Sequence, residues 1–167
     1  MSEDKTVEIL KNAILLEKRG HAFYAKVAEQ ASAEAVKQFF SLMAEEELAH
    51  VSILSEQFKN HRAGKKFTAV ASAADAAFKT ASSILTPDLK RQISAADYEA
   101  AAIAAAMSME KNAIQVYSRR AAEAQDATEK SFYEWLAKWE TEHLNFLSRL
   151  DKEINEAIWH DNNFWPF

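Results

Sequence analysis

The chain has 167 residues, a length that suits one domain with a sizeable core, and 49% of its residues are hydrophobic. Its formal net charge of −5 argues against a nucleic-acid partner, because phosphate binding needs a basic face. The absence of Cys excludes disulfides and thiolate-held zinc or iron–sulfur centres. With only 2 Gly and 2 Pro, the chain is expected to be wholly helical.

Neither a secretory signal nor a membrane span is predicted. The N-terminus, from Met1 to Lys5, is polar and leads into an amphipathic segment. No apolar stretch approaches the roughly 20 residues that a helix needs to cross a bilayer. We therefore expect a soluble cytoplasmic protein without a membrane partner.

Four long helices are predicted, at about 4–31, 32–60, 94–124 and 127–157. Each has a stripe of core residues at alternating spacings of three and four, which is typical of helices packed in a bundle. In the first helix the stripe comprises Val7, Leu10, Ile14, Glu17, His21, Tyr24 and Ala28. Carboxylates and imidazoles thus fall among the predicted core positions.

Local signals agree with these helix ends. Gly64 suits the turn beyond the second helix. Ser94 and Asp97 are candidate caps for the third helix. Asp126 and Glu129 have the spacing of a capping box at the start of the fourth.

The connections predict how the helices are arranged. Short links at Ser32 and Asp126 make the helices two antiparallel hairpins. The crossover at about 61–93 is long enough to run the length of a bundle, and its apolar spacing predicts a helix within it. An aromatic tail follows at 158–167. Residues 1–167 are therefore predicted to form a single all-α domain, an antiparallel four-helix bundle with one long crossover between helices 2 and 3.

One pattern of ligand-type residues occurs twice. Its members are Glu17, Glu47 and His50 in the first copy and Glu110, Glu140 and His143 in the second. The two copies are offset by 93 at every member, because 110 − 17, 140 − 47 and 143 − 50 are all 93. A gap-free alignment of 10–57 with 103–150 has 13 identities in 48 positions. The repetition predicts a bundle with pseudo-twofold symmetry.

These six residues all lie on core stripes. A buried carboxylate is costly unless it is paired or bound to metal, and four carboxylates also repel one another. Two divalent cations would balance their charge, and carboxylate with imidazole favours iron or manganese. A single inward Glu–His pair could be an ordinary buried hydrogen bond. Six such residues on four stripes favour a site for two metal ions.

Four motifs carry a resemblance to a known family: E-K-R-G-H-A-F-Y at Glu17–Tyr24, E-E-E-L-A-H at Glu45–His50, E-K-N-A-I-Q-V-Y at Glu110–Tyr117 and E-T-E-H at Glu140–His143. With them, the chain resembles the rubrerythrin-type branch of the ferritin-like superfamily over essentially its whole length. The resemblance implies a ferritin-like bundle and two iron ions, with manganese as an alternative. It also implies that Glu47 and Glu140 bridge the metals and that Glu17 and Glu110 are terminal ligands. His50 and His143 would then bind one metal each.

The function that the resemblance implies is that of a diiron oxidoreductase, which reduces hydrogen peroxide or O2. The alternative is a ferroxidase or iron-storage protein, in which iron is the substrate. A third class is a bundle that senses iron or an oxidant without turnover. Because the chain has no Cys, we expect no rubredoxin domain and a separate electron donor, such as a rubredoxin-like protein. The resemblance also implies a homodimer.

The sequence departs from the family at one position. Classical rubrerythrins have an extra Glu one turn after the third-helix ligand, where this chain has Ala113. The counterpart of Ala113 in the first half is Gly20. We expect these two small residues to leave room for O2 or peroxide beside the metals.

Three further residues on the stripes bear on the site. Tyr24 and Tyr117 lie two turns beyond Glu17 and Glu110, and we expect each phenol to hold a ligand carboxylate or to supply a proton or electron. The alternative is that both are ordinary core aromatics. His21 is expected to be a satisfied histidine rather than a seventh ligand. The residues expected at the surface are Glu45, Glu46, His61, Glu142 and His160.

Overall fold

The computed structural model describes residues 2–69, 92–93 and 98–160. Within these residues the chain forms four helices and no strand: α1 at Ser2–Gln30, α2 at Glu34–Arg62, α3 at Tyr98–Glu123 and α4 at Ala127–Trp159. Helix packing is closest within two pairs, α1 with α2 and α3 with α4. The predicted all-α four-helix bundle is confirmed.

Some of the sequence predictions concern residues that the structure does not describe. Three predicted features lie outside the described residues: the helix within the crossover, the candidate caps Ser94 and Asp97, and residues 161–167 of the aromatic tail. No helix among the described residues is both long enough and apolar enough to cross a membrane.

The end of α2 is built around Gly64. This residue has a φ of +69°, in the left-handed region that favours glycine. The N–H of Gly64 donates to the carbonyl of His61 at 3.0 Å, and the N–H of Lys65 donates to the carbonyl of Asn60 at 2.9 Å. This pair of bonds is the Schellman arrangement that ends many helices. The turn predicted at Gly64 is therefore present.

The start of α4 is capped by Asp126. Its Oδ1 accepts the backbone N–H groups of Thr128 and Glu129, both at 2.9 Å. Only this half of the predicted capping box is present, because the Glu129 carboxylate binds the guanidinium of Arg120 at 2.5 Å instead. At the start of α2, the N-cap position is Ala33, which offers no side-chain acceptor.

The buried residues form two apolar clusters with a polar layer between them. One cluster contains the C-terminal part of the α1 stripe, including Tyr24, and the other contains Leu10 and Tyr117. Between them lie Glu17, Glu47, His50, Glu110, Glu140 and His143, all buried. Each helix crosses this layer once, and the two apolar clusters keep the layer away from water at both ends.

Candidate metal centre

The structure brings all six predicted ligands together in the polar layer. One ligand atom from each of four residues lies within 4.8 Å of the others in the group Glu17, Glu47, His50 and Glu140. A second group with the same spacing comprises Glu47, Glu110, Glu140 and His143. Both groups contain Glu47 and Glu140, the two residues that the resemblance implies as bridges.

Both histidines turn Nδ1 towards the carboxylates. Nδ1 of His50 lies 3.2 Å from Oε2 of Glu17 and 3.1 Å from Oε1 of Glu140. Nδ1 of His143 lies 3.3 Å from Oε2 of Glu140 and 3.7 Å from Oε1 of Glu110. The two imidazoles therefore approach Glu140 from its two oxygens, one on each side.

Glu140 is the most enclosed carboxylate of the layer, with an exposed fraction of 0%. Among the described residues, none donates a hydrogen bond of normal geometry to either of its oxygens. A buried carboxylate without well-formed hydrogen bonds has lost its hydration, and in the metal-free site the imidazoles of His50 and His143 are the cationic groups that lower its pKa. A pair of cations, one near each oxygen, is a partner that fits this arrangement.

The electrostatics of the metal-free site favour bound protons. Burial raises the pKa of Glu47 well above its usual value and that of Glu110 to about 8, and the charge of Glu140 adds to both. Burial opposes protonation of His50 and His143, but hydrogen bonds and charges from the carboxylates outweigh it and raise both pKa values. A divalent cation would displace such protons, because metal ligands must be deprotonated.

Each of the two tyrosines binds a ligand carboxylate from the other half of the chain. The Tyr24 hydroxyl, on α1, donates to Oε1 of Glu110 on α3, and the Tyr117 hydroxyl, on α3, donates to Oε1 of Glu17 on α1. Burial raises the pKa of both phenols, and the partner carboxylates add to the shift. Both tyrosines therefore remain protonated donors that orient the end carboxylates.

A small cavity of about 20 Å³ adjoins the carboxylates. Its lining consists of four pairs of residues related by the 93-residue offset: Leu16 and Met109, Glu17 and Glu110, Gly20 and Ala113, Glu47 and Glu140. The cavity therefore lies on the pseudo-twofold axis. Its volume is close to that of one water-sized molecule.

Gly20 has a second role beside this cavity. A Cβ at this position would lie 3.1 Å from Cδ of Glu47, tighter than most Cβ contacts, so the Glu47 side chain would have to shift by a few tenths of an ångström. The missing side chain lets α1 approach Glu47, one of the two shared carboxylates.

Glu46 was expected at the surface, and this prediction is wrong. The residue is only 5% exposed, and its Oε2 lies 2.7 Å from Nε2 of His143. The sequence did contain a signal: position 46 lies three residues after Met43 and four before His50, which is the spacing of the buried face. Its counterpart in the second half, Trp139, is also a residue type that is commonly buried.

The remaining polar predictions have mixed outcomes. His21 lies outside both ligand groups, and its Nδ1 is 2.8 Å from the carbonyl of Ala44, which satisfies it locally. His61 is half-buried, with its ring centroid 6.1 Å from that of Phe67, so it is not fully at the surface. Glu45 and His160 are exposed as predicted, whereas Glu142, like His61, is half-buried.

Comparison with protein families identifies the chain. A family model described as rubrerythrin matches residues 8–151, a span that includes every member of both ligand groups. The chain belongs to the rubrerythrin family. Rubrerythrins are diiron proteins, and the buried carboxylate and histidine clusters agree with this family. No curated protein and no solved structure gave a significant match.

Proposed function

We propose that the chain is a diiron oxidoreductase that reduces hydrogen peroxide or O2 with electrons from a separate donor. One observation carries the proposal: two groups of buried ligand atoms overlap at Glu47 and Glu140. Two divalent cations would balance four carboxylates that otherwise repel one another. Ligands of this type, without thiolates, favour iron or manganese.

In this proposal each metal position has its own end ligands, and the two positions share their bridging ligands. The assignment is Glu17 and His50 for one position, Glu110 and His143 for the other, and Glu47 and Glu140 for both. Two ferrous ions held there would supply the two electrons that convert one peroxide and two protons into two waters.

The chain itself provides orientation and space. Tyr24 and Tyr117 hold the end carboxylates through hydrogen bonds, and their raised pKa values keep the phenols from competing as metal-binding phenolates. The cavity beside Gly20 reaches the shared carboxylates and admits a molecule of about the size of water. Peroxide and O2 are among the few oxidants small enough for such a space.

The electrons must come from elsewhere, because the chain has no Cys with which to build a rubredoxin-type centre. A rubredoxin-like carrier is the proposed class of donor. The homodimer and the cytoplasmic location stay predictions, which sedimentation and cell fractionation would test.

The proposal is tested by loading the protein anaerobically with Fe(II), measuring bound iron, and adding peroxide or O2. We expect about two irons per chain and their oxidation within seconds, followed by the near-ultraviolet absorption of ferric iron. Repeated cycles of reduction and oxidation should retain the iron in the protein. Release of the iron after each oxidation would favour the ferroxidase or storage function instead.

A matched pair of double variants controls this experiment. Glu47→Gln with Glu140→Gln removes both shared carboxylates, whereas Glu45→Gln with Glu134→Gln removes two exposed charges from the same two helices. Only the first pair should abolish binding of the second iron and peroxide oxidation. Equal iron binding by wild type and the first pair would contradict the proposal.

A further inference from the structure

The two histidines of the site have different surroundings on the side that faces away from the carboxylates. Behind His143 lies the carboxylate of Glu46, with Oε2 at 2.7 Å from Nε2. This contact joins α2 to α4 across 97 positions of the sequence, and Glu46 is 5% exposed. Glu46 belongs to neither ligand group, so its carboxylate acts on the site only through His143.

The imidazole of His50 lies beside two indole rings instead. The 93-residue offset relates Glu46 to Trp139, and the Trp139 ring centroid lies 5.0 Å from that of His50. The Trp135 ring centroid lies 6.0 Å from the centroid of the same imidazole. Among the residues that the structure describes, none forms a hydrogen bond with the buried Nε2 of His50. The pseudo-twofold symmetry is therefore broken at the groups next to Nε2 of the two imidazoles, which affect how strongly each imidazole binds a metal.

The difference matters because of how imidazole binds a metal. If Nδ1 of a neutral histidine gives its lone pair to a cation, the ring proton must be on Nε2. A carboxylate that accepts this proton fixes the tautomer and ring orientation and makes the imidazole a stronger donor. Glu46 is placed to do this for His143, whereas no described residue accepts a hydrogen bond from Nε2 of His50.

Trp139 adds a competing contact at His143. Its Nε1–H lies 3.0 Å from the same Nε2. A nitrogen that carries a proton cannot also accept one, so the contact with Glu46 and the contact with Trp139 cannot both be hydrogen bonds through Nε2 at once. The Glu46 contact is shorter, has a charged acceptor and corresponds to the tautomer that leaves Nδ1 available for metal.

We propose that Glu46 is a positioning residue that makes the two metal positions unequal, so that the His143 position binds a divalent cation more tightly than the His50 position. The inference rests on the proposed function, because it takes the six clustered residues as metal ligands. It adds that the site fills in a fixed order, with the His143 position first.

The test is a titration of the metal-free protein with Co(II), which reports binding by its visible spectrum without redox chemistry. Wild type should bind in two resolved steps. Glu46→Ala and the isosteric Glu46→Gln should weaken one step by about 10- to 100-fold and leave the other within about threefold. Glu45→Gln, which changes the exposed neighbour, should match wild type.

A second readout identifies the histidine. In the Co(II) protein, each bound imidazole gives a paramagnetically shifted N–H proton resonance. Glu46→Gln should move one of the two resonances and speed its exchange with solvent, which a general loss of packing would not do selectively. Thermal unfolding of the metal-free variants checks that they are folded.

The outcomes separate this inference from the proposed function. If wild type binds no metal in the layer, the proposed function fails. In another outcome, wild type binds about two cations while both Glu46 variants leave the two binding steps unchanged or weaken both equally. That result overturns the inference of unequal affinities and leaves the proposed function standing.

Discussion

Tyr24 and Tyr117 each hold a carboxylate that belongs to the other half of the chain. Because donor and acceptor lie on different hairpins, Glu17 and Glu110 reach their positions only when the two hairpins are docked correctly. A hydrogen bond to an ionised carboxylate, the form that binds metal, contributes about 1.5–3 kcal/mol. At the scale of single residues, the metal site and the docking of the hairpins therefore depend on the same contacts.

Replacing either tyrosine with phenylalanine removes one donor from an end carboxylate. We expect Tyr24→Phe and Tyr117→Phe to weaken metal binding by similar amounts, about 10-fold or more. Competition with a chelator of known affinity measures this. Tyr133→Phe is the matched control, since this tyrosine is equally buried and its hydroxyl makes no hydrogen bond of normal geometry to the described residues. An equal effect of Tyr133→Phe would assign the loss to packing.

Gly20→Ala should move stability and metal binding in opposite directions. Alanine improves helix propensity by about 1 kcal/mol. Its Cβ would, however, lie 3.1 Å from Cδ and 3.3 Å from Oε2 of Glu47, which must then shift. We expect the metal-free variant to resist urea as well as or better than wild type, while its metal affinity falls.

The reverse change at the paired position is the control for Gly20→Ala. Ala113→Gly should lower helix stability by about 1 kcal/mol and leave Glu47 in place. If Gly20→Ala binds metal as wild type does, the close approach of α1 to Glu47 has no functional role.

The two hairpins differ at the start of their second helices. Asp126 caps α4 with two backbone hydrogen bonds, but its counterpart 93 residues earlier is Ala33, which has an extended backbone with φ −91° and ψ 130° and no side-chain acceptor. The first backbone N–H groups of α2 therefore lack the partner that those of α4 have. At the scale of elements, the first hairpin has the weaker helix start.

Exchanging the two caps should shift stability in opposite directions. We expect Asp126→Ala to destabilise the protein by about 1 kcal/mol and Ala33→Asp to stabilise it by about as much. Urea denaturation of the metal-free protein measures both. If Ala33→Asp has no effect, water already satisfies those N–H groups.

Residue spacing along the chain predicts some parts of the fold and of the metal site but not others. Helix stripes and the repeated ligands follow from spacing along one chain, so the bundle was predictable. Which partner a side chain meets depends on how the hairpins rotate against each other, and spacing does not specify this. For that reason the sequence did not predict that each tyrosine binds the carboxylate of the opposite half. Glu46 was misplaced because three consecutive glutamates suggest a solvated surface, although Glu46 and Glu47 both face the core.

At the scale of the whole molecule, the buried polar layer opposes folding unless protons or metal ions neutralise it. Glu110 illustrates this, since its pKa rises from 4.5 to about 8 on folding, chiefly through burial. A group with a raised pKa stabilises the fold below its unfolded pKa, and this contribution is lost as the pH rises through the folded value. Glu47, His50 and His143 shift in the same direction.

The metal-free protein should therefore lose stability as the pH rises from about 5 to about 8. Burial opposes ionisation of Glu140, but the charges and hydrogen bonds of His50 and His143 together outweigh it and lower the pKa of this carboxylate, so its contribution is lost only at lower pH. Urea midpoints across this range measure the slope. Glu110→Gln should flatten the slope, and Glu45→Gln should leave it unchanged.

Saturating Mn(II) should reverse the sign of this dependence, because protons compete with the metal for the same ligands. The loaded protein should then gain stability over the same pH range. A metal-loaded protein with the falling profile of the metal-free form would show that the cation binds elsewhere.

The 93-residue offset has a consequence for how the two halves can change. Two separate copies of one hairpin, encoded by one gene, would always carry the same residue at equivalent places. Joined in one chain, the halves can mutate independently. They differ at Gly20 and Ala113, at Ala33 and Asp126, and at Glu46 and Trp139. Covalent linkage thus allows two nearly identical binding positions to acquire separate properties, which a symmetric dimer of hairpins could not do.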